Sequence, residues 1–229
     1  MDCSKIRPSI FIFGLFLMLI VMTLWFSDQY LLFSLALITT ISAPLFYKVS
    51  KEEMSSREIV LIALMGAIAA VSRVPFAALP SMQPTTFIVM VSGVALGPVP
   101  GFIVGNLAAI VSNLILGQGP WTPWQMISWG TIGLISGYLA NTKIMKNKMW
   151  RSGFGLILGI LFSWVMNLWG LLAMGGPFTL PQIFTYYIVS FYFDLAHGIS
   201  NVIFLWLFYD SFYRSLTRFK IKYGLFQNI

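Results

Sequence analysis

Charge is what this chain has least of: Asp, Glu, Lys and Arg make up 9% of its 229 residues, against 58% hydrophobic. So few charges leave no surface for a soluble domain of any size, and the composition suits a chain dissolved in a bilayer. Cysteine is almost absent. Cys3 stands alone, which excludes an internal disulfide and any cysteine-built metal cluster. One histidine, His197, excludes a two-histidine zinc site. No H-E-x-x-H, G-x-S-x-G or P-loop pattern occurs, and Asp194 is the one acidic residue well inside an apolar run. A paired-carboxylate mechanism and ATP hydrolysis by a P-loop are therefore closed to it. The expectation is no enzyme, no catalytic residue, no metal and no cofactor bound by the chain itself.

What the chain does have is eight apolar runs, at about 8–26, 30–47, 59–73, 85–96, 101–116, 124–140, 153–172 and 183–209. Threaded as spans, they put 13 of the 14 Lys and Arg residues on one side and only Arg73 on the other. That asymmetry marks the basic side as cytoplasmic and predicts a multi-pass protein of the cell membrane with both termini inside. The run at 85–96 is short, since about 20 helical residues cross ~30 Å of hydrocarbon. Fusing 85–116 would reverse everything after it and leave 5 basic residues facing 9. The split stands, and Gly97-Pro98-Val99-Pro100-Gly101 is read as a tight cytoplasmic turn. The net charge of +7 belongs to this edge rather than to a nucleic-acid surface. No cleavage site of small residues follows the first run after Trp25-Phe26, so it is read as a retained span.

Two unequal parts follow. Residues 1–48 form a transmembrane hairpin joined at Ser27-Asp28-Gln29, and residues 49–58 a charged cytoplasmic linker. Residues 59–213 form a six-span core, and 214–229 a basic cytoplasmic tail. No internal repeat is evident. The outer links of the core hold the unusual chemistry: Arg73 to Pro84, Gly117 to Trp124, and Gly175 to Pro181, rich in Gly, Pro and aromatics. Such loops build a covered, mostly apolar pocket with a few orienting amides. Trp121, Trp124 and Gln118 are the leading candidates to touch a ligand. Arg73, Gln83, Asn113, Asn167 and Asp194 are placed around the same cavity, and His197 is a further candidate. The bland alternative is an interfacial aromatic belt, preferred for Trp25, Trp150 and Trp206.

Polar groups inside spans are costly and mark either function or helix register. Asp194, His197 and Asn201 share one face of the last span, and Asn106 and Asn113 one face of 101–116. For Asn106 and Asn201 a register-fixing role suffices. Ala63, Gly66, Ala67 and Ala70 recur at i, i+3, i+4 and i+7, a strip of small side chains that lets another helix come close. Whether that helix belongs to this chain or to a partner is open at this point.

The Ala63-xxx-Ala67 strip, the Phe87-to-Gly97 segment, the run Gly97-Pro98-xx-Gly101-xxx-Gly105 and six compact spans resemble the substrate-binding (S) component of an energy-coupling-factor vitamin transporter, over roughly residues 57–213. The resemblance implies an all-α integral membrane protein, here with an S-component-like core behind a two-helix hairpin that departs from the usual six spans. It implies docking of Ala63 and Ala67, extended by Gly66 and Ala70, on a transmembrane coupling (T) subunit. Two partner ATPases would use the ATP, membrane lipid would surround the chain, and a vitamin-like small molecule would be the cargo. Gly117-Gln-Gly-Pro-Trp-Thr-Pro-Trp-Gln-Met126, with Trp129-Gly130, resembles the cobalamin or corrinoid branch. A flat heterocycle would suit the same residues. Two rival readings are a self-sufficient secondary transporter with a proton relay through Asp194 and His197, and a structural or assembly membrane protein.

Overall fold

The computed structural model describes residues 8–25, 32, 36, 54–175 and 179–226. The expected span 30–47, the Ser27–Gln29 link and most of the charged linker lie outside the described residues. The elements are α1 (Pro8–Trp25), α2 (Ser56–Val71), a 3-10 turn (Val74–Phe76), α3 (Thr85–Leu96), α4 (Pro98–Leu116), α5 (Thr122–Tyr138), the single turn α6 (Lys143–Lys146), α7 (Lys148–Met174) and α8 (Leu180–Tyr223). No strand occurs among the described residues. Ser56–Phe76, α4, α7 and α8 are each long and apolar enough to cross a bilayer. The protein is an all-α integral membrane protein.

The short span turns out to be the centre of the molecule. All twelve residues of α3 are buried, and α2, α4, α5 and α8 pack around it. Twelve residues rise about 18 Å, well short of the ~30 Å hydrocarbon layer. A helix walled in by protein need not match lipid, and the irregular backbone from Ser72 to Pro84 that precedes α3 joins a cluster of protein groups, where membrane-depth loops are tolerated. The turn after α3 is tighter than Gly97–Gly101. Gly97 alone breaks the helix, at φ 120°, a conformation only glycine takes without strain, and Pro98 opens the first turn of α4.

The remaining glycines of that run form a packing seam. A Cβ on Gly101 would fall 2.6 Å from Gly133 O, one on Gly105 2.4 Å from the Trp129 carbonyl, and one on Gly93 2.2 Å from Gly133 O. Backbone therefore meets backbone where α3, α4 and α5 converge, the close approach that small residues permit in lipid.

Helix α2 begins earlier than the linker boundary at residue 58. Ser55 accepts from Glu58 N while Glu58 accepts from Ser55 N at 2.6 Å, a capping box that pulls residues 56–58 into the first turn. Helix α8 runs 44 residues, about 66 Å, and its helix continues past residue 213 into the segment read as a tail. Leu216 is buried there, and Lys220 Nζ donates to Ala95 O at 3.3 Å. Gly224, in the left-handed region, then reverses the chain, so that Leu225 and Phe226 are buried and Phe226 N donates to Glu58 Oε1. Helix α1 packs on α5 and α7. Its Thr23 Oγ1 accepts from Trp124 Nε1 at 3.0 Å and donates to Leu19 O at 2.9 Å.

The two ends of the bundle differ in charge. Arg57, Lys220 and Lys222 lie where α2 starts and α8 finishes, and Lys148 and Arg151, at the start of α7, sit against Trp206, Tyr209 and Asp210 of α8. Arg73 stands at the opposite end, where α2 finishes.

Candidate ligand-binding site

The end opposite the basic edge is organised around Arg73, one residue beyond the cap of α2. Its Nε donates to Gln83 Oε1 at 2.9 Å, and its Nη1 to Ser112 Oγ at 2.5 Å and Asn113 Oδ1 at 3.0 Å. The guanidinium carbon lies 5.0 Å from the centroid of Trp129. Every acceptor is neutral. Among the described residues the ion pair is Arg151–Asp210, far down the basic end, so Arg73 has no carboxylate against it.

From Asn113 the network passes into the loop before α5. Asn113 Nδ2 donates to Thr122 Oγ1 at 2.9 Å and Gln125 Oε1 at 2.8 Å, and Thr122 Oγ1 donates to Gln118 Oε1 at 2.8 Å. Gln118 Nε2 in turn donates to Ile110 O at 3.1 Å. From Gln83 the network reaches α8, where Gln83 N donates to Ser200 Oγ at 3.0 Å. Thus Arg73, Gln83, Asn113 and Gln118 form one connected cluster.

A second chain lies beside it. Trp129 Nε1, which can only donate, is 3.0 Å from Thr86 Oγ1. Thr86 Oγ1 lies 2.9 Å from His197 Nε2, and Ser163 Oγ 3.3 Å from His197 Nδ1. Phe162 stacks on Trp129 with centroids 4.6 Å apart, so the indole has Phe162 and Arg73 as its neighbours.

Asp194 belongs to a third group, one turn from His197 but not bonded to it. Asn167 Nδ2 donates to Ser190 Oγ at 2.8 Å and to both Asp194 oxygens at 3.2 and 3.3 Å, and Ser190 Oγ donates to Oδ2 at 3.3 Å. A relay running directly from Asp194 to His197 is therefore not formed in this geometry. Next to this group a groove of about 610 Å³ runs along Gln182, Tyr186, Ser190 and Phe193 of α8.

The two loop tryptophans part company. Trp121 meets Trp169 edge-on at 5.7 Å, on the α7 side of the loop. Trp124 is 1% exposed and turns towards α1, which anchors its indole N–H. On α2, Ala63 and Ala67 are exposed while Gly66 and Ala70 are buried, Gly66 against Leu107. The outward strip is thus the pair Ala63 and Ala67. The pattern reading missed Ser112, Thr86, Gln125, Ser163, Ser190 and Ser200. Hydroxyls are too common in apolar spans to signal anything alone, although Thr122, Gln125 and Trp129 at i, i+3 and i+7 trace one face of α5.

Comparison with known proteins bears on what this cluster serves. UPF0397 proteins of Aliivibrio fischeri are 29% identical over 89 residues, 37% of this chain and 48% of theirs. One from Vibrio atlanticus is 28% identical over 112 residues, 45% of this chain and 61% of its own. The chain thus spans about half the length of these relatives. No solved structure matches. Residues 53–212, by contrast, match the family profile throughout their length, and they hold all of the polar cluster just described. By that match the chain belongs to the family described as ECF-type riboflavin transporter, S component.

Proposed function

We propose that this chain captures a flat heterocyclic vitamin of riboflavin's class at the Arg73 end and passes it inward with a T subunit and two ATPases. Family membership supports the role of substrate-binding subunit, and the matched profile's description supports the ligand class. The observation that carries the site is Arg73 itself: one guanidinium, held by three neutral groups, lying over Trp129. A fork of donors beside an indole suits a ring system edged with carbonyl and nitrogen acceptors. A ligand would enter when the Ser72–Pro84 loop lifts, taking the guanidinium's place on Trp129 or bonding to it. The family match, to a riboflavin S component, favours a flat ring system over the corrinoid suggested by the Gly117–Met126 motif. Docking of Ala63 and Ala67 on the T subunit is part of the same reading, and their exposure supports it.

The test is calorimetric titration of the purified protein with riboflavin and, separately, with cobalamin. Riboflavin should bind, and Trp129→Ala should weaken it by roughly 1–3 kcal/mol, the scale of a lost aromatic contact together with its buried area. Binding of cobalamin alone would replace the flat-ring reading with the corrinoid one. Undiminished riboflavin affinity in both Trp129→Ala and Arg73→Ala would move the site elsewhere.

A further inference from the structure

At the basic end, between α2 and the last turns of α8, a second groove of about 470 Å³ is open along its side. Its walls are Val60, Leu61, Leu64, Phe219, Tyr223 and Leu225, almost wholly apolar. Val60 and Leu64 are 65% and 52% exposed, so the groove opens on the flank that a membrane-spanning helix turns to lipid. Its rim is charged. Arg57, itself a lining residue, and Lys222 each lie 5.3 Å from the centroid of Tyr223. Neither has a carboxylate partner among the described residues, since the nearby Glu58 is taken up by Ser55 and by Phe226 N.

We propose that this groove holds an anionic phospholipid, with an acyl chain along the apolar walls and the phosphate between Arg57 and Lys222. Two cations at the end of an apolar channel, at the interface where a helix leaves the bilayer, match the two halves of such a lipid. A free anion would leave the apolar walls uncovered, and a zwitterionic lipid would leave the two cations without net charge compensation. The fold makes the seam durable: Gly224 turns the chain back so that Leu225 lines the groove and Phe226 N, bonded to Glu58, ties the end of α8 to α2.

The experiment is native mass spectrometry of the full chain, extracted from vesicles of equimolar phosphatidylglycerol and phosphatidylcholine. The parent should retain phosphatidylglycerol in preference to phosphatidylcholine, and excess inorganic phosphate should not release it. The double variant Arg57→Gln/Lys222→Gln should lose that preference by roughly tenfold or more, the scale for two interfacial cations. Leu64→Trp, which fills the channel and leaves the cations in place, should reduce retention of both lipids. Equal retention of the two lipids by the parent would overturn the proposal, as would an undiminished preference in the double variant. Release by inorganic phosphate would show a plain anion site instead. Unchanged lipid retention in Leu64→Trp, with loss of co-purifying transporter subunits, would assign the groove to a protein partner.

Discussion

At the scale of single residues, Arg73 decides what the far end of the molecule can do. Its three hydrogen bonds need a planar fork, because Gln83 lies off Nε and the pair Ser112 and Asn113 off Nη1. An ammonium keeps the charge but not that geometry. Arg73→Lys is therefore expected to behave more like Arg73→Ala than like the parent. Each leaves buried acceptors short of a donor, at about 1–3 kcal/mol per unsatisfied group. Thermal unfolding in detergent, followed by tryptophan fluorescence, checks this. A lysine variant as stable as the parent would mean that charge alone, and not the fork, holds the cluster. Much of this cluster is legible in the sequence: Arg73, Gln83 and Asn113 stand out because charged and amide groups are rare near apolar runs. Ser112 and Thr86 do not stand out, since an intrahelical carbonyl satisfies a hydroxyl almost anywhere, as Ala109 O does for Ser112 at 3.2 Å.

At the scale of elements, boundaries followed breaker residues wherever these had a mechanism. Gly97, Gly117 and Gly175 each end a helix with positive φ, and the expected run at 85–96 coincides with α3. The end of α8 was not legible. Arg214, Arg218, Lys220 and Lys222 look like a solvated tail, yet they sit on a helix that buries Tyr209 and Leu216 on one face, where Lys220 itself reaches Ala95 O. The surroundings of Trp124 were not legible for a related reason, since Pro120 and Pro123 suggest a loop while Pro123 lies in the first turn of α5 and the indole N–H reaches Thr23 of α1. The α4–α5 seam yields a sharp expectation. A Cβ on Gly133 would fall 2.1 Å from Gly101 O, backbone that cannot move without parting the helices. Gly133→Ala should destabilise by roughly 1–3 kcal/mol, as overpacking does, whereas Gly153→Ala, with open space around it, should cost little. Parallel thermal melts of the two variants decide it. Helix α2 yields another: Ala63→Leu or Ala67→Leu should abolish uptake in cells while leaving ligand affinity of the isolated subunit unchanged, because both side chains face outward. Loss of affinity in the isolated subunit would mean that the pair packs within this chain.

At the scale of the whole molecule, the basic residues and Arg73 lie at opposite ends of the bundle, and we propose from the charge asymmetry that the basic end is cytoplasmic. The assignment decides whether the Arg73 cluster meets solute arriving from outside, so it underlies the transport reading rather than decorating it. It can be tested with single cysteines on a Cys3→Ser background. Thr122 would be a poor reporter despite its place beside the outer loop, because it is 1% exposed and bonded on both sides. Ala78, in the loop after the 3-10 turn, and Lys146, at the end of α6, are both exposed. In intact cells a membrane-impermeant maleimide should label Ala78→Cys and spare Lys146→Cys until the membrane is permeabilised. The opposite pattern would put the guanidinium cluster on the cytoplasmic side, where it could only release solute, and the capture role would fall with it. Labelling of both positions in intact cells would mean that the chain inserts in two orientations. The 13-to-1 distribution of Lys and Arg in the eight-span reading predicts a single orientation instead.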